Sequence, residues 1–265
     1  MKKFDYHTHN GYSRCVKAPW KIIAGWKVAK SKGIEKLGVT NHVHFNHPEQ
    51  HYLTHLRKEI QEINEDGLLL GVELDIDSPD GQNVLKKETY AIIDYVIAAP
   101  HNQPTDFLNN FDFDKEDEEA YFSDLKKILT MAMKQIQFDI WAHPFLQELN
   151  KLDLRYWDIY LEDIFMDCLE ICVNRGIAIE ITAQWHKEYS RPKKNTWYPE
   201  MTISKELYEI INKMYKIAAD NKDIKFSLAS DSHSLQHIGD ISVPLFYVEK
   251  LHISDDRILE IEKKS

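Results

Sequence analysis

Leu68-Leu69-Leu70-Gly71-Val72-Glu73-Leu74 is apolar along its length except for one carboxylate. The run is far shorter than the ~18 apolar residues that a membrane span needs, so it reads as a buried strand. A charge buried there is tolerable only beside a partner or a metal ion. Outward from it, short apolar runs alternate with longer amphipathic segments, which is the pattern of repeated β-α units. The strand candidates are Lys3 to His7, Lys36 to Thr40, Leu68 to Leu74, Tyr95 to Ala98, Asp139 to Ala142, Ile177 to Thr182 and Lys225 to Ala229. Helix candidates lie between them at Pro19 to Ser31, Pro48 to Asn64, Glu116 to Gln135, Asp158 to Arg175 and Ser204 to Asn221, and Ser254 to Glu262 is expected to close the chain as a terminal helix. Asp75 to Thr89, Asn102 to Asp117 and His186 to Met201 read as loops. No repeat or composition shift marks a boundary, so residues 1–265 are expected to form a single α/β domain.

The composition narrows the function classes. With 43% hydrophobic and 29% charged residues the chain can bury a large core, which excludes disorder and fibres. A formal charge of -10 repels nucleic acid at long range and disfavours it as a partner. No apolar stretch follows Met1-Lys2-Lys3, and Cys15, Cys168 and Cys172 are too few and too odd in number for a disulfide framework. No membrane partner and a reducing, cytoplasmic address are therefore expected. Cys168 and Cys172 stand four apart on a helix candidate and read as buried thiols.

The unusual number is 13 histidines. Nearly every strand candidate ends in a residue able to bind a metal: His7 and His9, then His42, Glu73, His101, His143, Glu180 or Thr182, and finally Asp231 and His233. In His7-Thr8-His9 the period of two puts both imidazoles on one side of an extended chain. In parallel barrels the C-terminal strand ends converge on one face, so these scattered residues would meet there. His47, His51 and His55 recur at four-residue spacing on a helix candidate and read as a solvated stripe. Trp185 and Trp197 flank the sixth-strand loop, where either packing or an aromatic wall for an organic group would suit them.

The series His7-Thr8-His9, Thr40-Asn41-His42, Glu73, Asp94 to Ile97 leading to His101, Ala142-His143-Pro144 and Ser230-Asp231-Ser232-His233 resembles the PHP (polymerase and histidinol phosphatase) family. The likeness runs from Asp5 to about Gly239, and in order and spacing it is similar to the stand-alone branch that includes histidinol-phosphate phosphatases. It implies a distorted (β/α)7 barrel with two or three divalent ions, zinc, iron or manganese, at the C-terminal ends of the strands. By the resemblance one ion takes His7, His9, Glu73 and Asp231, and a second takes the shared Glu73 with His101 and His143. A third takes His42 and His233 with the residue six positions after His9, which is Cys15 here and histidine in many relatives. Cys15 either binds as a thiolate, favouring a borderline-soft ion such as zinc, or points away. Asn41 stands where an aspartate is common, which removes a candidate orienting carboxylate.

The expected reaction is hydrolysis of a small phosphomonoester, histidinol phosphate or a related phosphate, by a metal-activated water. Glu73 would bridge two ions, and Asp231 would orient the water as well as bind metal. Phosphate calls for a cationic clamp, and Arg191, in Ser190-Arg191-Pro192, is the first candidate, ahead of Arg14 and Lys17. The alternatives are phosphodiester or exonuclease-like hydrolysis and a barrel with weakened catalysis. The sequence leaves the oligomeric state open.

Overall fold

The computed structural model describes residues 1–13, 15–43, 50–76, 85–100, 117–185 and 203–264. Seven strands run parallel in the order of the chain: β1 (Phe4–Asp5), β2 (Lys36–Val43), β3 (Leu68–Asp75), β4 (Tyr95–Ala99), β5 (Ile140–Trp141), β6 (Ala178–Thr182) and β7 (Phe226–Ala229). The sheet curls so that β7 returns to β1. Tyr6 N–H donates to Leu228 O at 3.2 Å, His9 N–H donates to Ser232 O at 2.8 Å, and Ser232 N–H donates to His7 O at 3.3 Å. The seven strands expected from the apolar runs thus form the nearly closed barrel that the resemblance implies.

All eight residues of β3 are buried, as a strand covered on both faces requires. The outer cover comes from helices α1 (Ile22–Ser31), α2 (His51–Ile63), α3 (Lys87–Ile92), α4 (Glu118–Gln135), α5 (Leu146–Lys151), α6 (Glu162–Arg175), α7 (Lys205–Asp220) and α8 (Ser242–Lys250). In α2, Leu53, Leu56 and Ile60 face inward at helical spacing, while His51 and His55 are solvated. The chain enters α7 through Ser204, whose Oγ accepts from Leu207 N–H at 3.1 Å, an N-cap placed where the sequence called for a helix start.

Inside the barrel Tyr95 crosses from β4 and donates its hydroxyl proton to Tyr6 O, and glycines clear its path. A Cβ on Gly38 would sit 1.7 Å from the Tyr95 oxygen, and one on Gly71 would sit 2.6 Å from its ring. Two glycines are therefore needed for one aromatic plug beneath the strand ends.

Three segments differ from the sequence reading. Ser254 to Glu262 is not a helix: a single 3-10 turn at Asp255–Arg257 precedes extended chain. There Leu259 N–H donates to Phe226 O at 2.8 Å and Ile261 N–H to the Tyr6 hydroxyl at 3.2 Å, so burial of Ile258 and Ile261 against the barrel wins over local helicity. The Asp75 to Thr89 loop ends in α3, and Asp158 to Arg175 begins with a π-helical turn at Trp157–Leu161. Among the described residues no helix is long and apolar enough to cross a membrane.

Candidate metal centre

The strand register builds the centre. His42 pairs with Glu73 across β2 and β3, so the imidazole and the carboxylate emerge side by side. His7 and His9 leave the end of β1, His143 follows β5, Glu180 lies within β6, and Asp231 and His233 follow β7. The turns carrying His143 and Asp231 are left-handed, at φ 26° and 47°. Such backbone persists only where surrounding contacts over-determine it. For His143 the contact is its own N–H, which donates to Glu180 Oε1 at 3.2 Å. For Asp231 the turn is tied on both sides. Asp5 accepts from Ser230 N–H at 2.9 Å, Ser230 Oγ at 2.7 Å and Gly239 N–H at 2.8 Å, and Gln184 Nε2 donates to Asp231 O at 2.9 Å.

Three groups of donors result: His7, Glu73 and His143; His7, His9 and Asp231; and His9, Cys15, His42 and His233. Within each, the ligand atoms lie within 4.8 Å of one another. Glu73 spans them. Its Oε2 lies 3.2 Å from His7 Nε2, 3.3 Å from His9 Nε2 and 3.0 Å from His42 Nδ1, while Oε1 lies 3.1 Å from His143 Nε2.

Hydrogen bonds on the outer edges of the rings fix which nitrogens face inward. His7 Nδ1 sits 2.8 Å from Glu180 Oε2, so that edge carries a proton and Nε2 points to the centre. Ser13 Oγ gives its only proton to Asn41 Oδ1 at 2.9 Å and must accept from His9 Nδ1–H at 3.1 Å. His233 Nδ1–H donates to Asp231 O at 3.0 Å. His7 Nε2 and His9 Nε2 consequently face each other at 3.1 Å, both with lone pairs unless a proton or a metal ion lies between. That donor set fits divalent cations.

The electrostatics of the cluster point the same way. Burial lowers the affinity of His7 for a proton, but Glu73, Glu180 and Asp231 outweigh it and push the ring well above the ordinary histidine value. Burial opposes protonation of His42 and His143 as well, and their carboxylate neighbours again raise both. Burial lowers His9 to about 4, which keeps it a neutral acceptor. Burial pushes Asp231 up, yet His7, His233 and His9 together hold it well below the usual carboxylate range. The carboxylates that raise His7, His42 and His143 would favour a bound cation in the same way, and ligand histidines bind metal in their neutral form, so ion binding competes with protons.

The PHP domain pattern matches residues 5–184 of this sequence. The chain belongs to the PHP domain family. It is a metal-dependent phosphoesterase of that family with a candidate metal site. Among solved structures, a histidinol phosphate phosphatase from Lactococcus lactis subsp. lactis, complexed with zinc, L-histidinol and phosphate, is similar with a TM-score of 0.69 and 14% identity over 96% of this chain and 95% of that one. A chain from an archaeal ribonuclease P with mature tRNA is similar with a TM-score of 0.51 and 10% identity over 93% and 87%. At these identities the likeness is one of fold. No curated protein sequence matches the chain.

Of the residues singled out in the sequence, His7, His9, Cys15, His42, Glu73, His143, Asp231 and His233 all come together. His101, Arg191, Arg14, His47 and Trp197 lie outside the described residues. Trp185 is packing: it is fully buried, and its Nε1–H donates to the Tyr215 hydroxyl at 3.1 Å. His237 pairs with Asp240 at 3.0 Å, outside the donor groups. Two residues were missed. Asp75, with Oδ1 3.3 Å from His42 Nδ1, supplies a carboxylate beside that ring although residue 41 is an asparagine. Its spacing of two from Glu73 on one strand was the available signal. Asp5 anchors the Asp231 turn, and a carboxylate inside an apolar first strand could have flagged it.

Proposed function

We propose that the chain hydrolyses a small phosphomonoester at the strand-end face of the barrel. The observation that carries this reading is Glu73, whose two oxygens lie against histidines of two donor groups, the arrangement a bridging carboxylate needs. Divalent ions bound there, zinc, iron or manganese, would supply Lewis acidity for the phosphoryl oxygens and acidify a water to serve at neutral pH. His7, His9, Glu73 and Asp231 would hold one ion, and Glu73, His143 and His101 another. Asp231, fixed by Asp5 and Gln184, would also accept a hydrogen bond from the attacking water and set its line of approach. Glu180 keeps the His7 Nε2 lone pair turned inward. Arg191 would clamp the phosphate with its planar guanidinium. The net charge of -10 supports a compact substrate over a polyanion. Histidinol phosphate or a related amino-alcohol phosphate is the substrate class, in keeping with the ligands of the Lactococcus protein.

The test is phosphate release by protein stripped with chelator and reloaded with zinc, manganese or iron(II). Histidinol phosphate and p-nitrophenyl phosphate are compared with bis-p-nitrophenyl phosphate and single-stranded DNA. Turnover restored by metal and confined to the monoesters supports the reading; preference for the diesters overturns it. Arg191→Ala should raise KM with a smaller fall in kcat, because a ground-state clamp acts on binding.

A further inference from the structure

The outer donor group differs from those around Glu73 in one respect: it contains sulfur. Cys15 reaches it because the chain after His9 doubles back. Ser13 N–H donates to Asn10 O at 3.1 Å and Val16 N–H to Ser13 O at 3.0 Å, two successive tight turns. Trp20 Nε1–H donates to His9 O at 2.8 Å and ties the far end of the loop beneath the site.

Asn41 holds this loop by using both ends of its amide. Its Oδ1 accepts from Asn10 N–H at 3.0 Å and from Ser13 Oγ at 2.9 Å, and its Nδ2 donates to Asn10 Oδ1 at 2.9 Å. Asn10 Oδ1 already accepts from Tyr12 N–H at 3.2 Å. A carboxylate at position 41 would present an acceptor to that acceptor, so the asparagine is what the loop requires. Ser13 in turn receives His42 N–H at 3.2 Å, which joins the loop to the end of β2. The result is a thiol sulfur within 4.8 Å of ring nitrogens of His9, His42 and His233. His9 stacks between the other two rings, with centroids 4.6 Å from His42 and 4.2 Å from His233.

We propose that Cys15, with His42 and His233, forms a sulfur-containing outer position that selects zinc over manganese, and that Asn41 is the positioning residue that delivers the thiol to it. The inner positions offer imidazole and carboxylate, which zinc, iron and manganese all accept; a thiolate shifts preference toward the softer ion. When the ion binds, the S–H bond breaks, the sulfur pair forms the bond to metal, and the proton leaves to solvent, with no oxidant or reductant involved. The proposal rests on the chain holding metals at this face, but not on the identity of the ester it cleaves.

The test uses the full chain, stripped and titrated with cobalt(II), then loaded with zinc. One equivalent of cobalt should produce a thiolate-to-cobalt charge-transfer band in the near ultraviolet, and X-ray absorption of the zinc protein should show a sulfur scatterer at ~2.3 Å. Cys15→Ser should lose the band and one metal per chain. Cys15→His should keep the metal count, lose the band, and show a zinc-over-manganese preference at that equivalent reduced by ~10-fold or more. Asn41→Asp, with Cys15 in place, should weaken the band, which a merely structural asparagine would not do. No band and no sulfur scatterer in folded, metal-loaded protein overturns the proposal, as does a band that survives Cys15→Ser. A full-strength band in Asn41→Asp overturns the positioning role. An active phosphatase without the band would sink this inference alone, whereas the band without phosphatase activity would sink only the hydrolytic reading.

Discussion

Replacing Glu148 by glutamine should make the protein more stable, and the gain should depend on pH. Glu148 lies on α5 with 1% of its surface exposed, and neither carboxylate oxygen has a hydrogen-bond partner among the described residues. The ionisable groups felt nearby are His143, Lys151 and Tyr121, and burial dominates, pushing the carboxyl from 4.5 up to about 7. An acid whose folded value is raised carries no penalty below its unfolded value. The penalty grows as pH rises from about 4.5 and is complete above about 7. At full extent the interval corresponds to ~3 kcal/mol, and at pH 5 to under ~1 kcal/mol. Glutamine has the same shape and no charge to bury. Glu148→Gln should therefore unfold in urea with a stability higher by ~3 kcal/mol at pH 8 and by under ~1 kcal/mol at pH 5, with the slope against denaturant unchanged. Circular dichroism on chelator-treated protein measures this without a contribution from metal. An equal increment at both pH values, or destabilisation at pH 8, would refute the claim that an unpartnered buried carboxylate sits there.

Other substitutions probe the centre and its scaffold. Glu73→Ala and Asp231→Ala should each lower phosphatase kcat by at least ~10³ and reduce the metal content, and turnover near wild type in either would remove that residue from the site. Glu180→Ala should weaken metal binding by ~10- to 100-fold while leaving full occupancy attainable at high metal, because it frees the His7 ring without deleting a donor; equilibrium dialysis reads the shift. Gly38→Ala should destabilise by ~1–3 kcal/mol, since the new methyl meets the Tyr95 hydroxyl. Tyr95→Phe in that background should recover part of the loss, and thermal melts showing no recovery would mean that the clash lies elsewhere.

Much of this was legible from residue order because parallel barrels bring strand ends together, so a polar residue after each apolar run can be placed without coordinates. His42 and Glu73 show where that logic is strongest: adjacent strands in parallel register set them abreast. Cys15 shows where it stops. Its approach depends on side-chain hydrogen bonds of Asn41 and Ser13, which no periodicity encodes. The apolar pattern ends at Leu74 and so reads Asp75 as loop, although β3 continues through it. The α8 segment escaped for a different reason: Val243, Pro244, Leu245, Phe246, Tyr247 and Val248 are apolar on every side, so no helical stripe stands out. Ser254 to Glu262 erred in the opposite direction, since its isoleucines are spaced for a helix but are used by the barrel.

The seam between β1 and β7 also sets a timetable. Asp231 and His233 are made more than two hundred residues after His7 and His9, and the two groups meet only when β1 and β7 join. Contacts that far apart in sequence close a long loop and form slowly. Until they form, a growing chain shows its histidines to the solvent as loose chelators. The assembled centre therefore marks closure of the barrel: a divalent ion held by His7, His9 and Asp231 would clasp β1 to β7 across the seam.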